Sequence, residues 1–87
     1  MPATRNFRLN DLNQLCELES MLGLQANGAM TASQRGSVVE DIANRLVSGS
    51  IERPPDKFRV IAVVGGGKGP NVHRICARAS VAVNYPD

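Results

Sequence analysis

The chain has 87 residues, enough for one domain with a small core, since a chain this short buries only about 60–65% of its unfolded surface. Its formal charge of +2 hides a division: residues 10–52 carry six acidic side chains against Arg35 and Arg45, and the rest carries eight basic side chains against Asp56 and Asp87. The longest apolar run, 60–64, falls far short of the roughly 20 residues of a membrane span, and Cys16 and Cys76 alone make no disulfide framework.

The opening MPATRNFRLN has no apolar signal-peptide core, so a cytoplasmic setting with two reduced thiols is expected. Aromatic residues are few (Phe7, Phe58 and Tyr85, with no Trp), so Leu, Val, Ile and Ala must build the core. Smaller side chains remove less area each from water, which favours a homodimer as a way to bury more.

Residues 4–9 alternate, with Arg5, Phe7 and Leu9 on one side and Thr4, Asn6 and Arg8 on the other, which predicts a strand. A helix over about 10–22 follows. Asn10 is the expected N-cap, and Asp11 sits in the first turn, where the helix dipole favours an anion. Leu12, Leu15, Cys16, Leu18 and Leu22 form its apolar stripe, and Gly23 followed by Leu24 fits a Schellman ending. Asn27-Gly28 marks a loop. Thr31 and Gln34 have the spacing of a capping box at the start of a helix over about 31–48. Its stripe is Val38, Val39, Ile42, Ala43 and Leu46, its Asp41 and Arg45 are one turn apart, and Ser48-Gly49 ends it. Gly36, in the second turn, weakens it slightly. The carboxylates Glu17, Glu19, Glu40 and Asp41 are expected on outer, solvated faces.

Pro54-Pro55 makes a stiff connector. Residues 58–64 predict a strand, apolar on both faces and therefore central. The run Gly65-Gly66-Gly67-Lys68-Gly69-Pro70-Asn71 is a loop. Beyond it, His73, Ile75, Ala77, Ala79, Val81, Val83 and Tyr85 alternate with a more polar set that includes Arg74, Arg78, Ser80 and Asn84. Period two over this length favours one long strand, making 58–85 a hairpin; the alternative is a helix followed by a short strand. The predicted fold is α+β: one domain over 1–87, ordered β-α-α-β-β, with a three-stranded, mainly antiparallel sheet and two helices on one face. The free part of the long last strand is left to pair with the first strand or with a second copy of the chain.

Four residues stand out as partner-binding candidates. Arg59, Arg74 and Arg78 fall on the polar face of the predicted hairpin, with Lys57 and Arg8 positioned to join them, and Lys68 sits in the glycine loop. Together they make a basic surface suited to an acidic partner. The plain alternative is a solvated sheet face. The loop lacks a hydroxyl residue after Lys68 and has Pro70 where a dinucleotide pattern needs glycine, so it matches neither common phosphate-binding motif and reads first as a flexible turn. His73 and Cys76 form H-x-x-C, but a metal needs two more ligands and none is near. No catalytic constellation and no cofactor motif appears.

The resulting expectation is a non-enzymatic interaction protein, an inhibitor, adaptor or accessory factor. It would bind a larger protein or nucleoprotein machine through the basic sheet face and the glycine loop. A DNA- or RNA-binding regulator with backbone-dominated contacts is the alternative, because the aromatics lie on apolar faces and leave none for base stacking. A phosphate ligand at residues 65–71 is the third.

Overall fold

A computed structural model describes residues 3–25, 28–52, 58–65 and 78–85. In chain order they form strand β1 (Ala3–Arg8), helices α1 (Leu12–Met21) and α2 (Ala32–Ser48), and strands β2 (Arg59–Val64) and β3 (Ser80–Tyr85). The strands make one antiparallel sheet in the order β1-β3-β2. The expected β-α-α-β-β arrangement is therefore present. Among the described residues, no helix is long and apolar enough to cross a membrane.

The core forms where alternate strand positions meet two helical stripes. Phe7 pairs with Val81 and Val60 with Val83, and all four are buried. Leu15, Leu18 and Leu22 of the first helical segment and Val39 and Ala43 of α2 close over them. Each such Leu, Val or Phe side chain contributes about 1.5–3 kcal/mol on removal from water. Ile42, Leu46, Met21 and Phe58 pack around the margin, half-buried.

Helix α2 starts as predicted. The Thr31 N–H donates to Gln34 Oε1 at 2.9 Å, and the Gln34 N–H donates to Thr31 Oγ1 at 3.2 Å. Helix α1 ends as predicted too: Leu24 N–H reaches the Glu19 carbonyl at 2.8 Å and Gly23 N–H the Ser20 carbonyl at 3.1 Å, with Gly23 at φ 70°.

Its start differs by one residue. Asp11, not Asn10, is the N-cap, and its carboxylate accepts from the Asn13 and Gln14 N–H groups at 3.0 and 3.2 Å. Asn10 instead belongs to the turn in which the Asp11 N–H donates to the Arg8 carbonyl.

The predicted stripes also need correction. Leu12, Cys16 and Val38 are exposed, while Glu19 and Glu40 are buried at 5% and 6% exposure. The angular positions explain this. Glu19 stands four residues after Leu15 and three before Leu22, and Glu40 stands four after Gly36 and three before Ala43, so both lie on the covered stripe. Gly36 itself is buried there, which gives it a packing role besides its cost to the helix.

The sheet departs from expectation in two places. β2 is an edge strand, not a central one. Its surplus of apolar residues is accommodated by an irregularity between Val60 and Ala62 that leaves Ile61 outside the pairing. Val60 and Val63 thereby both reach the core side, while Ile61 and Val64 stay exposed. The last strand is six residues long, not fourteen; all six pair with β1, and the five residues Ser80–Asn84 pair with β2 on the other side. It leaves no free portion. Arg78 is helical and precedes the strand, so the connection from β2 to β3 runs well past the glycine loop. Residues 72–77, including His73, Arg74 and Cys76, lie outside the described residues.

Candidate functional site

The β1–β3 ladder runs on by one bond beyond its last strand pair. After Arg8 pairs with Ser80, the Leu9 N–H donates to the Ala79 carbonyl at 3.0 Å. Leu9 and Ala79 are both buried. Their neighbours Arg8 and Ser80 therefore turn to the opposite face, by the alternation that already separates them from Phe7 and Val81. Arg8, Asn10, Arg78, Ala79 and Ser80 line an open cleft of about 380 Å³ at this end of the sheet.

The backbone on the β1 side is held in place. The Arg8 N–H donates to Gln14 Oε1 at 2.8 Å, and the Arg8 carbonyl accepts from Asp11. Glycine is needed on the other side. Gly65 has φ 77°, and a Cβ there would collide with the carbonyl oxygen of Arg78. The first residue of the glycine loop thus packs directly against the backbone that carries Arg78.

The arginines divide by partner. Arg5 grips Glu17 with two nitrogens, at 2.6 and 2.8 Å, and lies 4.5 Å from the Phe7 ring centroid. The hydrogen bond to Glu17 holds the Arg5 pKa above the usual arginine value, against a smaller loss from desolvation. Arg45 pairs with Asp41 at 3.2 Å. Among the described residues, no carboxylate makes an ion pair with Arg8, Arg59 or Arg78. Asp11, the acid nearest in sequence to the cleft, is occupied with capping α1, and Gln14 Nε2 also donates to it at 3.4 Å.

Of the predicted contact residues, Arg78 reaches the cleft, but from the segment before β3 and not from the polar face of a long strand. Arg59 lies opposite Asn84, at the far end of β3 from Ser80. Four residue steps along the strands and two strand spacings put it about 16 Å from Arg8. Among the described residues, Arg59 therefore stands apart from Arg8 and Arg78 at the other end of the sheet. Lys68, Arg74 and Lys57 lie outside the described residues. The sequence reading gave Asn10 a capping role and gave neither Asn10 nor Ser80 a part in binding. The signal for them was a matched pair of polar-apolar-polar triplets, Arg8-Leu9-Asn10 and Arg78-Ala79-Ser80.

The aromatics are committed elsewhere. Phe7 is fully buried, Phe58 packs on the core margin, and the half-buried Tyr85 hydroxyl donates to Met21 Sδ at 3.3 Å. Among the described residues, no three His, Cys, Asp or Glu side chains come together as metal ligands. No protein-family model, curated protein or solved structure matches the chain.

Proposed function

We propose that this is a small non-enzymatic interaction protein, an inhibitor, adaptor or accessory factor, that docks on an acidic surface of a larger protein. The contact is centred on the cleft between Arg8 and Arg78 and includes the start of the glycine loop beside it. One observation carries this reading: Arg8 and Arg78 line the same open cleft and, among the described residues, no carboxylate makes an ion pair with either, while Arg5 and Arg45 are both paired. Guanidinium groups at a rim favour encounter with complementary charge and set its orientation. Arg59, at the other end of the face, extends the footprint. The exposed free thiol of Cys16 suits a reducing, cytoplasmic setting.

Direct nucleic-acid binding is the second reading, favoured by the same arginines. The commitment of Phe7, Phe58 and Tyr85 leaves such binding with backbone phosphate contacts alone, weakly selective for sequence.

The test is capture from native lysate on the immobilised full chain, with and without nuclease, using the parent, Arg8→Glu/Arg78→Glu and the control Arg45→Glu. A protein retained after nuclease by the parent and the control, but lost by the double variant, supports docking. Retention that nuclease abolishes favours the second reading. A partner held equally by all three chains rejects the cleft as the contact.

A further inference from the structure

We propose that the Arg8–Arg78 cleft is a binding site for a single phosphate dianion, as inorganic phosphate or as a phosphate monoester. The proposal rests on the docking reading only for its location, since both use the same two arginines. Its chemistry comes from the donors that line the cleft. Each guanidinium is a planar fork of N–H groups, and the Asn10 amide and the Ser80 hydroxyl add neutral donors. A carboxylate has two oxygens and one charge to divide among these four groups. A phosphate monoester has three terminal oxygens and nearly two charges at neutral pH, which matches both the donors and the two cations.

The frame of the site is set before any ligand arrives. The Leu9–Ala79 hydrogen bond joins its two walls, Gln14 holds the Arg8 backbone, and Gly65 packs under the Arg78 carbonyl. A ligand then has little more to order than two arginine side chains. The acid closest along the chain does not compete, because Asp11 gives its carboxylate to the start of α1. The cleft is also open, so a group esterified to the phosphate has a way out to solvent. This site is distinct from residues 65–71 as a phosphate loop: its charge comes from the sheet end, and its donors are side chains.

The experiment is an NMR titration of the isotope-labelled full chain with sodium phosphate, following the backbone amides of Arg8, Asn10, Arg78 and Ser80. Sodium chloride keeps the ionic strength constant. Saturable shifts confined to these residues are expected. Arg8→Gln and Arg78→Gln each weaken binding by about tenfold or more, and Arg45→Gln leaves it unchanged. O-phosphoserine and dimethyl phosphate complete the set in the parent chain, so the test survives a variant that fails to fold. The dianion requirement predicts that O-phosphoserine binding weakens as the pH falls through about 6 and that dimethyl phosphate binds severalfold more weakly. Tighter binding of O-phosphoserine than of inorganic phosphate identifies an ester as the source, and the reverse identifies the free ion. Shifts that chloride reproduces, equal binding of dimethyl phosphate, or folded Arg8→Gln and Arg78→Gln chains that bind like the parent overturn the proposal. Failure here leaves the lysate capture untouched, and failure of the capture leaves this titration standing.

Discussion

Leu9 donates its N–H to the Ala79 carbonyl at 3.0 Å, one step past the end of the β1–β3 strand pair. That bond ties the chain entering α1 to the chain entering β3, and it is why Arg8 and Arg78 share a cleft despite the 70 positions between them in the sequence. Leu9 is 1% exposed and belongs to the core. Leu9→Ala is expected to cost about 2–5 kcal/mol in urea denaturation. That is a large share of the roughly 5–15 kcal/mol that keeps a domain folded. A variant as stable as the parent would show that this junction is not packed as described.

The start of α1 provides a comparison between neighbours. Asp11→Ala removes the acceptor for two free helix N–H groups and is expected to cost about 0.5–2 kcal/mol. Asn10→Ala touches an exposed residue outside the helix and is expected to change stability by about 0.5 kcal/mol or less. Thermal melts of the two variants check the assignment, and the reverse ranking would return the cap to Asn10.

Much of this fold was readable where a local rule has one solution. Thr31 and Gln34 have one useful spacing, Gly23 has one useful backbone angle, and Phe7 and Leu9 have one apolar side of a strand to share. The errors arose where polarity stood in for geometry. Glu19 and Glu40 were placed outside because they are charged, although their angular positions lie on the buried stripes. Residues 60–64 read as central because they are apolar on both faces, although an irregularity at Ile61 lets an edge strand carry the surplus. Period two ran through Arg78 and Ala79 because nothing in that pattern marks where pairing stops. The cleft was half legible: Arg78 and Arg8 were noticed as basic residues, but their meeting depends on a hydrogen bond between segments distant in sequence, which no local pattern encodes.

Arg5 and Glu17 form an exposed pair, and their coupling should be small and sensitive to salt. A double-mutant cycle with Arg5→Gln and Glu17→Gln is expected to give a favourable coupling at low salt that shrinks towards zero in 1 M sodium chloride, where the Debye length is about 3 Å. The pH response has a definite sign on the arginine side. Because the folded-state pKa of Arg5 is raised, its contribution is complete below the ordinary arginine value and is lost only as the pH climbs beyond it. Titration of Arg5 therefore adds no pH dependence near neutrality. A coupling that persists unchanged in high salt would mean that stacking on Phe7, 4.5 Å away, dominates the contact.

Gly65 links the stability of the fold to the cleft. Its φ of 77° is one that side chains resist, and a Cβ would meet the Arg78 carbonyl oxygen, a backbone atom that cannot rotate away. Gly65→Ala is therefore expected to destabilise by more than about 1 kcal/mol, combining left-handed strain with a displaced backbone. The shift should be felt at Arg78 before it is felt in the core, because Val81 and Val83 are anchored by both neighbouring strands. Hydrogen exchange distinguishes the two. Faster exchange at the Leu9 amide, whose acceptor is the carbonyl next after that of Arg78, with little change at Val81 and Val83, is the expected pattern. Uniform acceleration across the sheet would instead mean that Gly65 supports the whole fold. A variant with parental stability and exchange would show that the β2 end does not press on Arg78 at all.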